Sequence, residues 1–554
     1  MFICFILFLS SVSATQIIDD CQLVIVGGST AALGAVLSAS KLLDNRVCLL
    51  EPTDWTGGQM TSELLSAPDF AGYTLTDSTG FKLDVGAINL QEENRNPLFT
   101  QMLNVLGNTG RCSVSPVCSI PDQFHSQAIL PHTKNLRIFY NTVIKRIHKD
   151  ASNRRIISID AIQRVAINND NNRCRFQSEE LPDWYSLDDS QWFTKTQLIF
   201  TNFSYVIEGS SWGEVLVLAN ASFLQGIMEE FDGDISGNGN WSCGQCFTID
   251  FLEQLRQDPT DEPPNPLPEP EGGGEYSLIG RPWERAWTYR RVNTSSSDIN
   301  IVAVNDTVIQ NRNRGNDYGR KNFFLSPQEA RRHRDIGIWR GGVNLEALRG
   351  GEEQAVGWHY WFRANAPTEW TNRTVFVNSS SWTGTCHGLA KMPYLRESRR
   401  SIGLNNFLMN ISTINGTASD LHGYIFPDRM CLGAYDVDIH RMKLCDYPSY
   451  IRQNYSVLPY FIPLRAMTNR DIDNLFVIGK TMAQTFLVNA ATRLHPVEFS
   501  NGQAGGVAAA YAILNDLNQV AELFDEQHLK RLQSLVKTFT PTSWTINGVR
   551  YPND

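Results

Sequence analysis

Apolar and polar positions near the start of the chain predict a strand, a helix and a second strand in close succession. Residues 22–28 form an apolar run that ends in two glycines, which is typical of a buried parallel strand leading into a tight turn. Small residues follow from 29 to 34 and open a helix that we expect to reach Leu43. The next apolar run, 46–50, predicts a second strand that ends at Glu51. This is the pattern of a βαβ unit with an acidic residue at its end.

Further along the chain, three segments have the pattern of buried elements. Residues 136–147 (LRIFYNTVIKRI) predict a strand. The run 474–478 predicts another buried strand, which ends at Gly479. Residues 501–510 are rich in glycine and alanine and predict a tightly packed helix that begins at Asn501. Together with the first unit, these segments predict an α/β fold.

The first unit has the features that dinucleotide binding requires. Gly27 allows the turn, and small residues at Gly28, Ser29 and Ala32 let backbone N–H groups approach a pyrophosphate at a helix N-terminus. Ser29 and Ala32 stand where the GxGxxG pattern has its second and third glycines. Glu51 can accept hydrogen bonds from both hydroxyls of an adenosine ribose. An ordinary βαβ unit is the alternative, and the acid at the strand end favours the nucleotide site.

A glycine doublet beyond the acid distinguishes between two kinds of dinucleotide. In residues 52–62 (PTDWTGGQMTS), Gly57 and Gly58 would let the chain pass close to a ribityl chain and a flavin ring, which a nicotinamide dinucleotide does not require. In this region the chain resembles the FAD-dependent oxidoreductases of the glutathione-reductase-like superfamily. It is most similar to the family whose bacterial members are often labelled xanthan-lyase-like.

Other segments extend this resemblance over nearly the whole chain. They are 136–147, 207–214 (IEGSSWGE, like the family's DATxxGD turn), 393–400 (PYLRESRR), 436–440 (DVDIH), 462–466 (IPLRA), 474–480 and 501–510. The resemblance is strongest over 22–62 and 462–514. Glu208 and Gly209 replace the Asp-Ala of the family's turn, and Lys480 stands where many related flavoproteins carry aspartate.

The resemblance implies FAD as the cofactor and a set of residues that hold it. In the family, the strand end at Gly479 contacts the ribityl–pyrophosphate region, the backbone at Val143 meets the adenine, and the glycine-rich helix points its N-terminus at the flavin pyrimidine ring. Such a helix N-terminus, aimed at the ring, would stabilise the reduced, anionic flavin. The cofactor-binding residues expected on this basis are Gly27, Gly28, Ser29, Ala31, Ala32, Glu51, Pro52, Gly57, Gly58, Gln59, Met60, Val143, Ser210, Gly479, Lys480, Gly502, Gln503 and Ala504.

Binding one cofactor with both ends of the chain requires a discontinuous domain. The fold class expected is therefore α/β, with a discontinuous Rossmann-like FAD-binding domain and an inserted, mixed α+β substrate domain. We expect the FAD-binding domain at 17–230 and 465–530, the substrate or cap domain at 231–464, and a C-terminal surface extension at 531–554. An acidic, proline- and glycine-rich stretch at 258–274 predicts an exposed loop within the substrate domain.

Flavin chemistry often needs a base near the reacting atom of the substrate, and histidine is the commonest choice. The catalytic candidates are His495, which closely precedes the glycine-rich helix, and His440, which ends the turn at 436–440. His387, beside Cys386, ranks below them, and a structural role is the alternative for each. Arginines that could hold an anionic substrate, surface carboxylates or FAD phosphates are Arg396, Arg399, Arg465 and Arg493.

Charge and the N-terminal sequence bear on partners and compartment. The 554 residues carry a net charge of −10, which argues against nucleic acid or an anionic membrane as the main partner. The apolar run at 3–10 and the small residues Val12 and Ala14 predict a signal peptide at 1–14, although the usual positive residues are missing. Ten N-glycosylation sequons support secretion: Asn202, Asn220, Asn240, Asn293, Asn305, Asn372, Asn378, Asn410, Asn415 and Asn454. We expect some of them to lie in strands or buried turns and to carry no glycan. A short N-terminal anchor or a buried strand is the alternative for the apolar run.

The eleven cysteines leave several pairings open. Cys48 lies in an apolar strand and is expected to be a buried thiol. Close pairs that could form in an oxidising compartment are Cys112 with Cys118, Cys243 with Cys246, and Cys431 with Cys445. Cys243 and Cys246 could also be a redox pair or half of a zinc site, but a second CxxC is missing from the sequence, and no metal site is expected.

The function expected from these features is that of a secreted FAD-dependent oxidase or dehydrogenase acting on a small organic substrate. A second strand–GxGxxG–helix unit for NAD(P)H is not found in the sequence, which favours O2 or another diffusible electron acceptor. Three alternatives stay open: a flavin-dependent lyase or isomerase without net redox chemistry, a secreted flavin-binding protein without activity, and an NAD-dependent dehydrogenase. The glycine doublet and the C-terminal helix argue against the last. The oligomeric state is not predicted.

Overall fold

The computed structural model describes residues 14–107, 118–167, 174–227, 229, 241–262, 265–378, 380–451 and 454–553. The predicted signal peptide, apart from Ala14, lies outside these residues, as do Cys112 and the sequon residue Asn240. Helices and strands are mixed along the described chain.

The strands, in chain order, are β1 Ala14–Ile18, β2 Leu23–Val26, β3 Val47–Leu50, β4 Thr74–Thr76, β5 Lys82–Asp84, β6 Arg137–Phe139, β7 Thr142–Lys149, β8 Ile156–Ala166, β9 Phe193–Thr201, β10 Tyr205–Glu208, β11 Phe223–Leu224, β12 Phe247–Thr248, β13 Phe251–Leu255, β14 Arg291–Asn293, β15 Thr307–Gln310, β16 Asp317–Tyr318, β17 Thr374–Phe376, β18 Arg400–Ser401, β19 Arg429–Gly433, β20 Val437–Asp438, β21 Asn454–Tyr455, β22 Tyr460–Pro463, β23 Leu475–Val477, β24 Trp544–Ile546 and β25 Val549–Tyr551.

The α-helices are α1 Thr30–Leu43, α2 Val85–Leu90, α3 Pro97–Val105, α4 Pro121–Gln123, α5 Leu130–Thr133, α6 Gln177–Trp184, α7 Glu214–Leu218, α8 Trp283–Thr288, α9 Pro327–Asp335, α10 Leu345–Ala364, α11 Ser380–Thr383, α12 Phe486–Thr492, α13 His495–Leu514 and α14 Glu526–Val536. A π-helical turn, Phe124–Ile129, joins α4 to α5. Short 3-10 helices include Gly58–Met60 and Gly479–Thr481.

A five-stranded parallel sheet forms the centre of the fold, with the strand order β23-β10-β2-β3-β6. Leu23 lies opposite Val47 on one side and Tyr205 on the other, and Val206 pairs with Leu475. The strands predicted near both ends of the chain therefore lie in one sheet. The fold is mixed α/β and is consistent with a Rossmann-like nucleotide-binding domain, whereas the domain boundaries and the inserted domain stay predictions.

The central sheet is buried on both faces. On one face Ile25 and Leu49 pack in the same core as residues of α1 and α13. On the other face Val24 and Leu50 pack with residues of a second sheet, of order β1-β9-β8-β7. Continuous apolar strands are what a sheet covered on both faces requires, since side chains alternate between the faces.

Helices α1 and α13 approach each other closely because glycines face the neighbouring backbone. A Cβ atom added to Gly34 would lie 2.4 Å from the carbonyl oxygen of Phe499, and one added to Gly502 would lie 2.0 Å from that of Ala31. Any side chain at either position would push the two helices apart. The small residues predicted for a packed helix thus join the first helix to the last part of the chain.

Two predicted elements differ from the observed ones. The helix expected from Asn501 begins at His495 instead, with Pro496 in its first turn, where proline needs no hydrogen-bond partner for its nitrogen. The helix N-terminus lies six residues earlier than the sequence predicted, because residues 495–500 continue the helical pattern.

The strand expected over 136–147 is divided into β6 and β7, because Asn141 between them has a φ of 53° and turns the chain.

The middle and C-terminal parts of the chain contribute smaller sheets. An antiparallel sheet of order β14-β15-β13-β17 lies in the region 241–378. In the segment predicted as a surface extension, β24 and β25 form a hairpin whose Trp544 is buried and donates a hydrogen bond from Nε1 to the carbonyl oxygen of Tyr460. This tryptophan attaches the C-terminal segment to the core.

The disulfides in which both cysteines are described differ from the close pairs considered above. They join Cys21 to Cys48, Cys174 to Cys386 and Cys243 to Cys445, with Cα–Cα distances of 5.8, 4.9 and 5.3 Å. Cys246 and Cys431 are buried free thiols. The expected free thiol at Cys48 and the pairs Cys243–Cys246 and Cys431–Cys445 were wrong, because folding brings together cysteines that are distant in sequence. The pair Cys112–Cys118 involves a residue outside those described.

Candidate functional site

A cavity lies where the central strands end, and we call it the glycine-loop cavity. Seven of the predicted cofactor residues line it: Gly27, Gly28, Ser29, Glu51, Pro52, Val143 and Ser210. The carboxyl ends of parallel strands are the usual place for a ligand in such a sheet. Lining residues outside the quoted motifs include Glu63, Trp184, Tyr185 and Met392, and the 207–214 turn contributes Ser211, Trp212 and Glu214 besides Ser210.

Glu51 is fully buried beside the glycine turn. Its Oε1 accepts hydrogen bonds from the backbone N–H and the hydroxyl of Thr53, at 3.1 and 3.0 Å, whereas its Oε2 has no hydrogen-bond partner. A Cβ atom on Gly28 would lie 2.3 Å from Oε1. Burial raises the pKa of Glu51 to about 8. A buried carboxylate with an unused oxygen is costly unless a ligand donates to it, as the hydroxyls of a ribose can.

The glycine turns around this cavity leave no room for side chains. Gly27 has a φ of 107°, and a Cβ atom there would lie 2.3 Å from the Cα of Ser210. Gly58 has a φ of 55°, and a Cβ atom there would lie 2.7 Å from the Cα of Ser29. Thr30 Oγ1 donates to the carbonyl oxygen of Gly57 at 2.9 Å, which holds the doublet against the start of α1. The turn and the doublet are thus packed on each other.

A buried polar cluster extends the site away from the glycine-loop cavity. The Nζ of Lys480 lies 3.7 Å from Glu63 Oε2 and 4.0 Å from Glu498 Oε1, and it donates to Ser211 Oγ at 3.4 Å. Gln59 Nε2 donates to Glu498 Oε2 at 2.6 Å. Burial raises the pKa of Glu63 to about 7, although Lys480 opposes the shift. We call these residues the Lys480 cluster.

The remaining predicted cofactor residues lie behind the site. A Cβ atom on Gly479 would lie 2.8 Å from the Cβ of Ala31, and a Cβ atom on Gly209 would lie 3.1 Å from that of Ala32. Met60 is buried in the core beneath the doublet. Gly502 faces α1, Gln503 Oε1 accepts from Asn96 Nδ2 at 2.6 Å, and Ala504 is in the core. Because α13 begins at His495, residues 502–504 are inside the helix and not at its N-terminus.

A larger chamber lies on the other side of the Lys480 cluster, and we call it the arginine chamber. Tyr394 connects the two, since its ring centre lies 5.3 Å from Lys480 Nζ and Tyr394 also lines the chamber. Five arginines line the chamber: Arg281, Arg290, Arg312, Arg396 and Arg493. Arg396 and Arg493 were among the predicted anion-binding residues. Arg399 instead donates to the carbonyl oxygens of Trp212 and Gly342, and Arg465 pairs with Asp428 at 2.8 Å.

His440 lies in the wall of the arginine chamber between two carboxylates. Its Nδ1 is 2.5 Å from Asp317 Oδ2, and its Nε2 is 3.3 Å from Asp438 Oδ2. Burial and Arg396 lower its pKa, but Asp317 and Asp438 raise it by more, so that it lies above the ordinary value of 6.5. Asp317 also pairs with Arg396 at 3.0 Å, and Asp438 with Arg493 at 2.9 Å. The two carboxylates therefore favour the protonated form of this histidine.

The other candidate histidines are not in that wall. His495 is fully buried at the start of α13, and its Nε2 lies 2.9 Å from the carbonyl oxygen of Leu65. Burial lowers its pKa to about 3, which keeps the ring neutral. His387 lines a separate pocket, and burial lowers its pKa to about 4. The structure thus does not bring His440 and His495 together in the chamber, and the role of His495 stays a prediction.

The observed donors and acceptors fit FAD. Four buried oxygens around the cavity and the Lys480 cluster have no hydrogen-bond partner: Glu51 Oε2, Gln59 Oε1, Glu63 Oε2 and Glu498 Oε1. Glycine turns provide close backbone approach, and an apolar cavity wall is formed by Val143, Trp184 and Met392. Among the described residues, there is no group of three or more His, Cys, Asp or Glu side chains that could hold a metal ion.

Comparisons with known proteins agree with this fit. The family model for FAD dependent oxidoreductases matches residues 22–177 and 191–535. No curated protein matches the sequence of this chain significantly. Solved structures with some similarity include p-nitrophenol 4-monooxygenase PnpA from Pseudomonas putida DLL-E4, with 11% identity, 95% of this chain and 88% of that chain covered, and a TM-score of 0.30.

Two further solved structures are similar at comparable levels. The myxobacterial chondrochloren halogenase CndH, an FAD-dependent halogenase, has 9% identity, covers 93% of this chain and 78% of its own, and has a TM-score of 0.28. The E. coli quinol fumarate reductase FrdA has 10% identity, covers 95% and 74%, and has a TM-score of 0.27. At such TM-scores these similarities establish neither a shared fold nor a function.

Proposed function

Because the chain belongs to the family of FAD-dependent oxidoreductases, we propose that it oxidises a small organic substrate held in the arginine chamber. The observation that carries this proposal is the position of Tyr394. Its ring lies beside Lys480 on one side, and its hydroxyl accepts a hydrogen bond from Arg493 Nη1 at 2.6 Å in the chamber. A substrate in the chamber is thus next to the cluster whose unpartnered oxygens fit the cofactor.

We assign the parts of FAD to the residues as follows. Glu51 would accept hydrogen bonds from the ribose hydroxyls, and the backbone of Gly27, Gly28 and Ser29 at the start of α1 would hold the pyrophosphate. Val143 would contact the adenine. The Lys480 cluster would hold the flavin end, where Gln59 and Glu63 would supply polar contacts.

Bound flavin supplies the oxidant, since it accepts a hydride from a substrate carbon and passes two electrons to O2 or another diffusible acceptor. The chain must then remove a proton from the substrate hydroxyl or amine. His440 is the residue for this step because it lines the chamber and is held in place by Asp317 and Asp438. It accepts the proton when its ring is neutral, so the reaction requires a pH near or above its raised pKa.

The compartment of the protein is also part of the proposal. Three described disulfides favour an oxidising environment, such as the secretory pathway or the extracellular space. The nine sequon asparagines in the described residues are exposed; Asn293 and Asn454 lie in strands, as expected for some of them, but none lies in a buried turn. By contrast, Asn311, Asn474 and Asn501, which are not in sequons, are buried. Exposed sequons can be glycosylated, and we infer that the protein is secreted as a glycoprotein.

The test begins with protein secreted from a eukaryotic host. We expect a flavin absorption spectrum from the purified protein and a lower mass after glycosidase treatment. Anaerobic mixing with a panel of small alcohols, amines and hydroxy acids should bleach the visible flavin absorption for at least one of them, and admitting O2 or an artificial acceptor should restore it. Turnover with a constantly oxidised flavin would instead support a lyase or isomerase. A flavin that no compound reduces would indicate a binding protein without activity.

A further inference from the structure

Four arginines form a continuous wall along the arginine chamber, and uncharged residues connect them. The guanidinium carbons of Arg312 and Arg290 lie 5.3 and 5.1 Å from the centre of the same ring, that of Tyr289. Arg290 and Arg396 both donate to Asn311 Oδ1, at 3.0 and 3.1 Å. The wall therefore starts at Arg312 and runs towards the interior.

The same wall ends beside the Lys480 cluster. Arg396 lies over the ring of Tyr394 at 5.0 Å, and Arg493 donates to the hydroxyl of Tyr394 at 2.6 Å. Tyr394 in turn contacts Lys480, as described above. The wall thus runs from Arg312, at one end, to the Lys480 cluster, where we propose that the flavin ring binds.

Three of the four arginines have a carboxylate partner inside the protein, and the fourth does not. Arg290 pairs with Asp69 at 3.0 Å, Arg396 with Asp317 at 3.0 Å and Arg493 with Asp438 at 2.9 Å. Within the described part of the chain, no carboxylate pairs with Arg312, which donates a hydrogen bond to the carbonyl oxygen of Ala286. Burial and the neighbouring Arg290 lower the pKa of Arg312 to about 10, which also indicates a cation without a counterion.

The acids of the chamber do not fill this role. Asp69 and Asp438 are already paired with arginines. Asp436 also lines the chamber, but burial and Asp438 raise its pKa to about 7, so that it is partly neutral. A half-buried cation without an internal partner is stabilised most by an anion from solution.

We propose that the substrate is an organic carboxylate with a polar body and that its carboxylate pairs with Arg312. This inference rests on the proposed function, because it names the substrate class of the same chamber. The polar lining of asparagine and tyrosine side chains suits a substrate with hydroxyl groups, and the guanidinium fork suits a carboxylate. Because the protein as a whole carries a net charge of −10, the arginines concentrated in this chamber make it the place where an anionic substrate is attracted.

Isothermal titration calorimetry on the purified flavoprotein tests the proposal. The probes are L-malate and D-glucuronate, with malamide and D-glucuronamide as neutral counterparts. At least one acid should bind at least tenfold more tightly than its amide. Arg312→Gln should weaken this binding at least tenfold, and Arg312→Lys, which keeps the charge but not the fork, should weaken it less. The control Arg373→Gln removes a similarly half-buried arginine that lies over Trp370 at 5.9 Å, away from the chamber, and should change the affinity less than twofold.

Several results would overturn the proposal: equal affinity for acid and amide, unchanged binding by Arg312→Gln, tighter binding of inorganic phosphate than of either acid, or no binding of either acid. The flavin content and melting temperature of each variant show whether it is folded. Calorimetry does not depend on flavin reduction. Acid binding in a protein whose flavin no substrate reduces would therefore support the carboxylate site while contradicting the proposed function.

Discussion

Two histidines in this molecule lie between pairs of carboxylates, and their surroundings differ in an instructive way. His359 on α10 is 1% exposed, with Nδ1 at 2.5 Å from Glu253 and Nε2 at 2.7 Å from Glu262. His440 is 16% exposed by its side chain and lies in the wall of the arginine chamber. The first carboxylate pair has mainly neutral partners besides the histidine, since Gln310 Nε2 donates to Glu253 at 2.6 Å and the N–H of Phe376 to Glu262 at 3.1 Å, while the nearest arginine nitrogen, Arg363 Nε, is 3.9 Å from Glu262. The second carboxylate pair, Asp317 and Asp438, also forms ion pairs with Arg396 and Arg493.

The difference lies in what balances the carboxylates. Burial alone would lower the pKa of His359, but Glu253 and Glu262 raise it to about 9, because the histidine is their closest cation. Its proton is part of the folded structure. At His440 the arginines already neutralise the carboxylates, so the histidine can lose its proton without leaving two unpaired charges. The comparison indicates that His359 stabilises the fold, whereas His440 is free to take part in chemistry.

The largest effect should come from His440→Gln. This change keeps hydrogen-bonding capacity but removes the proton acceptor, and we expect flavin reduction to slow by roughly 100- to 1000-fold. In the wild type the reduction rate should rise with pH through a pKa above 6.5, and the variant should lose this rise. Stopped-flow absorbance under anaerobic conditions, with a compound that reduces the flavin, measures both. His422→Gln, outside the chamber, is the control, and a His440 variant with more than a third of the wild-type rate would contradict the assignment.

The matching change in the other histidine, His359→Gln, should affect stability and leave the rate unchanged. Without the imidazolium, two carboxylates are left without their shared cation, which costs about 3 kcal/mol of unfolding free energy. Urea denaturation followed by tryptophan fluorescence measures this loss, and His333→Gln on α9 is the control. A loss below about 1 kcal/mol, or a slower flavin reduction per folded molecule, would erase the distinction between the two histidines.

The smallest effect is the pH dependence of that stability difference. The pKa of His359 is about 9 in the folded protein and about 6.5 when unfolded, so its contribution is complete below pH 6.5 and is lost as the pH rises through 9. Between pH 6 and pH 9 the difference between wild type and His359→Gln should shrink by roughly 2–3 kcal/mol. Groups that do not contact His359 titrate alike in both proteins and cancel, whereas Glu253 and Glu262 lose the histidine that lowers their pKa values. A difference that stays constant with pH would show that His359 is not charged in the fold.

The parts of the site that could be predicted from the sequence are those formed by local segments. The turn at Gly27 and the acid at Glu51 lie within one βαβ unit, and the strand at 475–477 has a continuous apolar run. Their spacing and composition fix their geometry. The family pattern also led to His440, which lies in a short turn.

Features formed by distant contacts were not predictable. The helix start was misplaced because the glycine-rich run at 501–510 is the contact with α1 and not the N-terminus. Cys48 pairs with Cys21 through the pairing of β2 and β3, and no spacing rule reveals that contact. The arginine wall combines residues of four separate segments, and Arg312 lies in a segment without a motif. Its missing counterion is visible only when the neighbours are known.

The pairing of β23 with β10 has a consequence for how the protein is made. During synthesis the central sheet has β2, β3, β6 and β10 long before Leu475 leaves the ribosome, so β10 presents an open edge for most of translation. Helix α13, which covers α1, arrives later still. The edge of β10 therefore stays open until β23 has emerged, and the residues assigned to the cofactor are complete only once the chain has been made as far as α13.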